Sequence, residues 1–129
     1  MRVENGHIYV AQGGKHMVFY KEGIALKIKL DDGPQENFCK PAVDPMLRSL
    51  VRLCKEKLLV VILTGMGIDG LKGCEDVART GGTIIAQDQA TSVVWGMPGA
   101  VAHAGICHEI LPVSKITEAI TKIATGGGK

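Results

Sequence analysis

At 129 residues, 46% hydrophobic and 22% charged, the chain has the size of one globular domain and enough apolar content to bury a core. A formal net charge of +2, carried by scattered lysines and arginines, excludes the basic stripe of a nucleic-acid binder. The longest apolar run, Leu58 to Leu63, falls far short of the ~20 residues of a membrane span, and the start lacks the apolar core of a signal peptide. A cytoplasmic protein with no membrane insertion is therefore expected. Cys39, Cys54, Cys74 and Cys107 stand singly, with no C-x-x-C pair and no zinc-finger spacing, which predicts reduced thiols and no metal site.

Short β-branched and aromatic runs open the chain: His7 to Val10, Met17 to Tyr20 and Ile24 to Leu30, separated by glycine pairs and turns. Their spacing predicts an antiparallel hairpin or meander. Asp31-Asp32-Gly33-Pro34 is a turn signal, and Gln35 to Lys40 has no period, so a surface loop follows. From Pro41 the period becomes helical, with Met46, Leu47, Leu50, Val51 and Cys54 on one face and an end near Glu56. Asp44 and Pro45 are read as its N-cap and first residue.

Leu59 to Leu63 is a continuous apolar run, as expected of a strand covered on both faces. Leu71, Cys74, Val77 and Ala78 predict a helix that stops at Gly81-Gly82, and Thr83 to Ala86 predicts a second buried strand. A short helix over Pro98 to His103, a strand over His108 to Leu111 and an amphipathic helix through Ile116, Ile120 and Ile123, opened by Ser114, complete the order. The tail, residues 126–129, is expected to fray. Strand and helix alternate, so the fold class is α/β, with parallel strands and right-handed crossovers behind an N-terminal antiparallel ribbon.

The loop Thr64-Gly65-Met66-Gly67-Ile68-Asp69-Gly70 lies between a strand and a helix, where open parallel sheets gather ligands and reacting groups. Gly65-x-Gly67-x-x-Gly70 followed by Asp88 fits a dinucleotide fingerprint. A catalytic loop with free amides and a purely structural tight turn fit it as well.

Longer motifs separate these readings. Ile62-Leu63-Thr64-Gly65-Met66-Gly67-Ile68-Asp69-Gly70 resembles the "LTGMGxDG" loop of the CheB-type protein-glutamate methylesterases. Ile8 to His16 resembles the family's "YVAPGDxH", Asp32-Gly33-Pro34 with Lys40 to Asp44 resembles "DGP" and "RPSVD", and Ala86 to Pro98 is similar to "AQDxxSxVVxGMP". Gln12, Gly14, Lys40 and Ala42 depart from the pattern, as does Pro45 after Asp44, and these bear on the loop around Pro41.

The resemblance implies a Rossmann-like, doubly wound sheet, of which residues 1–125 are the carboxyl-terminal portion, and it displaces the dinucleotide reading because the family uses no cofactor. It implies that Asp69 is the acid of a Ser-His-Asp site and that the amides of Met66 and Gly67 face the oxyanion. Thr64, Gly65, His16 and Met97 are possible contributors to the loop. The family's nucleophile and histidine segments precede the first motif matched here, so the chain is expected to be inactive by itself. Ser49, Ser92 and Ser114 are poor nucleophile candidates, and His7, His103 and His108 read as surface or strand residues. The partners implied are methyl-accepting chemotaxis receptors, the upstream half of the domain and a receiver domain; a non-catalytic binding module is the alternative. An unpaired central strand also predicts self-association.

Overall fold

The structure, a computed structural model, describes residues 1–125; the expected frayed tail lies outside the described residues. The ribbon is a two-stranded hairpin, β1 (His16–Glu22) and β2 (Ala25–Asp31), with Glu22 opposite Ala25 across a two-residue Gly23-Ile24 turn. His7 to Val10, expected as a further strand, is not one. Ile8 and Val10 are 93% and 87% exposed, and no neighbouring strand takes up their backbone.

Next come α1 (Val43–Cys54), a 3₁₀ turn (Lys55–Lys57), β3 (Leu59–Ile62), α2 (Leu71–Arg79), β4 (Thr83–Gln87), α3 (Met97–His103), β5 (Glu109–Leu111) and α4 (Val113–Ala124). The parallel sheet has the order β3-β4-β5, with Val60 opposite Ile84 and Ala86 opposite Ile110. Side chains alternate along a strand. Val60 and Ile62 of β3 and Ile84 and Ala86 of β4 therefore share one face, where they pack with Leu47 and Val51 of α1, Cys74 and Val77 of α2 and Val101 of α3. Ile85, on the other face of β4, is also buried, and α4 packs against β4 and β5. β4 is thus covered on both sides, as its unbroken apolar run requires.

Among the described residues β3 pairs on one side only. An apolar groove runs along it, lined by Val43, Met46, Leu50, Leu59, Val61 and Met97. α1 also holds the ribbon: the Ser49 hydroxyl accepts from the Phe19 amide at 2.9 Å and donates to the Met46 carbonyl at 2.7 Å.

Two helix starts differ from expectation. α1 begins at Val43 after Ala42, so Asp44 lies inside the first turn and its carboxylate faces inward rather than capping its own helix. Pro45 still fits there, because first-turn residues need no intrahelical donor. α4 begins at Val113 after Pro112, and Ser114 makes no capping bond. No helix among the described residues is long and apolar enough to cross a membrane.

Candidate active site

The glycine loop leaves the carboxyl end of β3 and runs into α2. Its first half is tied to the segment before α3. The Thr64 amide donates to Gln87 Oε1 at 2.8 Å, and the Thr64 hydroxyl both donates to the Val94 carbonyl (3.0 Å) and accepts from the Val94 amide (2.9 Å). Gly65 continues the clamp, donating to the Val94 carbonyl at 3.0 Å and accepting from the Met97 amide at 2.9 Å. Thr64, through its amide and hydroxyl, and Gly65, through its amide and carbonyl, therefore hold the loop. Met97 lies over Gly65, so close that a β-carbon there would sit 2.8 Å from its sulfur.

Beyond the clamp the backbone is open. Met66 is 81% exposed, and among the described residues the amides of Met66, Gly67 and Ile68 meet no acceptor. Gly67 has φ +90°, a conformation that L side chains rarely adopt, and this turns the chain back towards Asp69. Gly96 passes so near that a β-carbon on it would lie 2.9 Å from the Gly67 nitrogen. Any side chain at this position would collide with the loop backbone.

Asp69 is buried, with 5% exposure, yet it does not serve a local turn. Oδ2 accepts from the Val43 amide at 2.7 Å; Oδ1 accepts from the Asp44 amide at 3.2 Å and from Asn37 Nδ2 at 3.0 Å. Val43 and Asp44 are the first residues of α1, whose orphan amides carry the positive end of the helix dipole. Asp69 thus caps α1 from a distance of 26 residues in sequence. A carboxylate oxygen has two lone pairs. Among the described residues Oδ1 has both engaged, and Oδ2 keeps one.

Asp44 returns the arrangement. Its Oδ1 accepts from the Gly73 amide in the first turn of α2 at 2.8 Å, and its Oδ2 accepts from Asn37 Nδ2 at 2.7 Å. Two helix starts converge here, each capped by an acid belonging to the other. Asn37 came out of a stretch with no sequence period, and spacing gave no sign of its contacts. The local signal was its residue type: Asn37 and Phe38 both have positive φ, +54° and +65°, between the paired residues Glu36 and Cys39, a turn conformation that favours asparagine. Arg48 fastens this turn to α1 with two bonds to Glu36, 2.8 and 2.6 Å, and the guanidinium lowers the pKa of the Glu36 carboxyl.

His16 is 1% exposed at the start of β1, with Nε2 at 2.7 Å from the Pro34 carbonyl and Nδ1 at 3.2 Å from the Ala42 amide. The carbonyl needs a donor and the amide an acceptor, which sets the tautomer and leaves no lone pair for proton transfer. His16 shapes the loop that carries Ala42 into α1. Asp88, the residue that would bind a ribose, accepts instead from the amide and hydroxyl of Thr91 at 3.0 and 2.6 Å in a local turn. Ser92 donates to the Asp88 carbonyl in the same turn, and Trp95 donates to the Gln87 carbonyl and stacks edge-on against His103. Among the described residues no three metal-ligating side chains cluster. All four cysteines are free, and burial pushes the Cys74 thiol up to about 12.

These features define a class: a parallel α/β unit whose glycine loop, at the carboxyl end of a strand, presents free amides beside a buried, anchored carboxylate. The CheB methylesterase family model matches residues 1–120, and the chain belongs to that family. A protein-glutamate methylesterase/protein-glutamine glutaminase of Azospirillum brasilense is 55% identical over 121 residues, covering 93% of this chain and 31% of its own length. One from the group 2 operon of Rhodopseudomonas palustris is 51% identical over 124 residues, 96% of this chain and 32% of its own. The chain thus spans about a third of the length of these curated relatives. The crystal structure of the Thermotoga maritima CheB methylesterase catalytic domain superposes with a TM-score of 0.93 at 38% identity, over 95% of this chain and 65% of that one.

Proposed function

We propose that the chain supplies the acid and the oxyanion loop of a serine-type protein-glutamate methylesterase that also deamidates protein glutamines, the two activities that the names of its relatives state for them, with methylated chemoreceptors as its substrates. The observation that carries this reading is the open lone pair of Asp69 Oδ2 on a carboxylate anchored from three directions. Residues 1–125 are then the carboxyl-terminal portion of a catalytic domain. The serine and histidine come from protein outside these residues, since the partners of Asp69 are Asn37, Val43 and Asp44.

In the reaction, the histidine takes the proton of the serine as its oxygen attacks the ester carbonyl, and Asp69 accepts the imidazole N–H and stabilises the imidazolium. The amides of Met66 and Gly67 receive the developing oxyanion, where one donor is typically worth ~2.7–4 kcal/mol. Methanol leaves with the proton, and water then releases the glutamate. Thr64, Gly65 and Met97 keep the amides in place, and His16, through Ala42, supports the start of α1 on which Asp69 is anchored. No cofactor or metal enters this scheme. On this proposal the site works in the cytoplasm, on methyl-accepting receptors and under the control of a receiver domain.

The test is a chimera in which this chain replaces the matching part of the Thermotoga maritima catalytic domain. The chimera should release methanol from a carboxymethylated receptor fragment, and the chain alone should not. Asp69→Asn should lower kcat by about 10⁴, the cost of an imidazole in the wrong tautomer. Methanol release by the isolated chain, or a chimera indifferent to Asp69→Asn, would refute the proposal.

A further inference from the structure

Asp44 and Asp69 are both buried, at 2% and 5% exposure, and both accept from the same side-chain nitrogen, Asn37 Nδ2, at 2.7 and 3.0 Å. An amide NH2 has two hydrogens in a fixed plane, and here each is directed to a different carboxylate. Among the described residues no other side-chain donor reaches either acid; their remaining partners are the amides of Val43, Asp44 and Gly73. Both partners of Asn37 are acceptors, so the nitrogen and not the carbonyl oxygen of the amide must face them.

We infer that Asn37 is a positioning residue for the esterase reaction, acting through Asp69. Two carboxylates on one nitrogen form a rigid bridge, and each is also pinned to the start of a helix. Asp69 Oδ1 is consumed by this bridge and by the Asp44 amide, so the carboxylate cannot rotate to offer that oxygen to an imidazole. Oδ2, with its free lone pair, is the oxygen left for the incoming ring. A near-attack arrangement depends on such fixed directions, and loose carboxylates lose rate without losing binding. The bridge also has to be neutral, because a lysine here would compete with the imidazolium for Asp69 and an acid would repel both carboxylates. The turn that carries Asn37 is secured separately by Arg48 on Glu36 and by the paired Glu36 and Cys39, so the side chain arrives from a fixed base.

This inference rests on the reading of Asp69 as the acid of the site, and its test separates the two. Asn37→Gly removes the amide side chain but suits a backbone at φ +54°, so the turn keeps its conformation. In the chimera, Asn37→Gly should lower kcat about tenfold and leave KM within about twofold, because Asp69 is misdirected and the substrate is not touched. In an Asp69→Asn background the same substitution should have no further effect on kcat, since both changes act through one group.

An undiminished tenfold loss in that background would mean that Asn37 acts elsewhere, and unchanged kcat in Asn37→Gly alone would mean that it positions nothing; either overturns the inference. If Asp69→Asn alone leaves kcat intact, it is the assignment of Asp69 that fails. A second readout needs no activity. The Val43 and Asp44 amides have Asp69 as their acceptor, so their hydrogen exchange in the free chain reports on that carboxylate. Asn37→Gly should accelerate both, and unchanged exchange would also overturn the inference.

Discussion

Asp69 shows how much one side chain can serve. The same carboxylate that closes the start of α1 is the group proposed to hold an imidazole, and capping contacts of this kind are worth roughly 0.5–2 kcal/mol. The residue type and its place in the loop were legible in the sequence; its partners were not, because they lie 25 to 32 positions away. Asp44 illustrates the same limit. An acid before a proline at the start of a helical period has the pattern of a local cap, but here it reaches across to α2 because Asp69 already occupies the end of α1.

Cys74 offers a prediction of another kind. Its thiol is fully buried, and burial, with Cys107 nearby, raises its pKa from 9.0 to about 12. A raised value means that the folded state holds the proton more tightly than the unfolded chain. This contribution is complete below the unfolded value and is lost as pH rises towards the folded one. Between about pH 8 and about pH 10.5, urea unfolding should show a smaller loss of stability in Cys74→Ala than in the parent. Equal losses would place the alkaline sensitivity in other groups.

Among the elements, those with a strong period emerged as expected. The four helices and the three parallel strands fall within a few residues of their predicted limits, because their apolar positions pack on one or the other face of the parallel sheet. The failures occurred where the partner is missing or remote: His7 to Val10 has the composition of a strand but nothing to pair with, and α4 starts one residue before the serine expected to cap it. β3 carries the main consequence at this scale. Its free edge and the adjoining groove expose apolar side chains next to unpaired backbone groups, the situation in which strands associate. The free chain should self-associate with rising concentration in light scattering, and the chimera, in which we propose that the remaining part of the domain covers β3, should stay monomeric. A free chain that remains monomeric at high concentration would contradict this.

For the molecule as a whole, motif order and fold class were readable because four motifs follow one another along the chain and the periods between them alternate between strand and helix. The convergence of two helix starts on two acids and one asparagine was not, since it depends on three segments meeting in space. On the proposed reading, that convergence is what gives the chain part of a catalytic site rather than only part of a sheet. Proton NMR of the chimera tests it most directly. At a pH where the histidine is protonated, a low-field imidazole N–H signal is predicted, shifted by its bond to Asp69 and absent in Asp69→Asn. The same signal persisting unchanged in Asp69→Asn would show that the imidazole is held by something else.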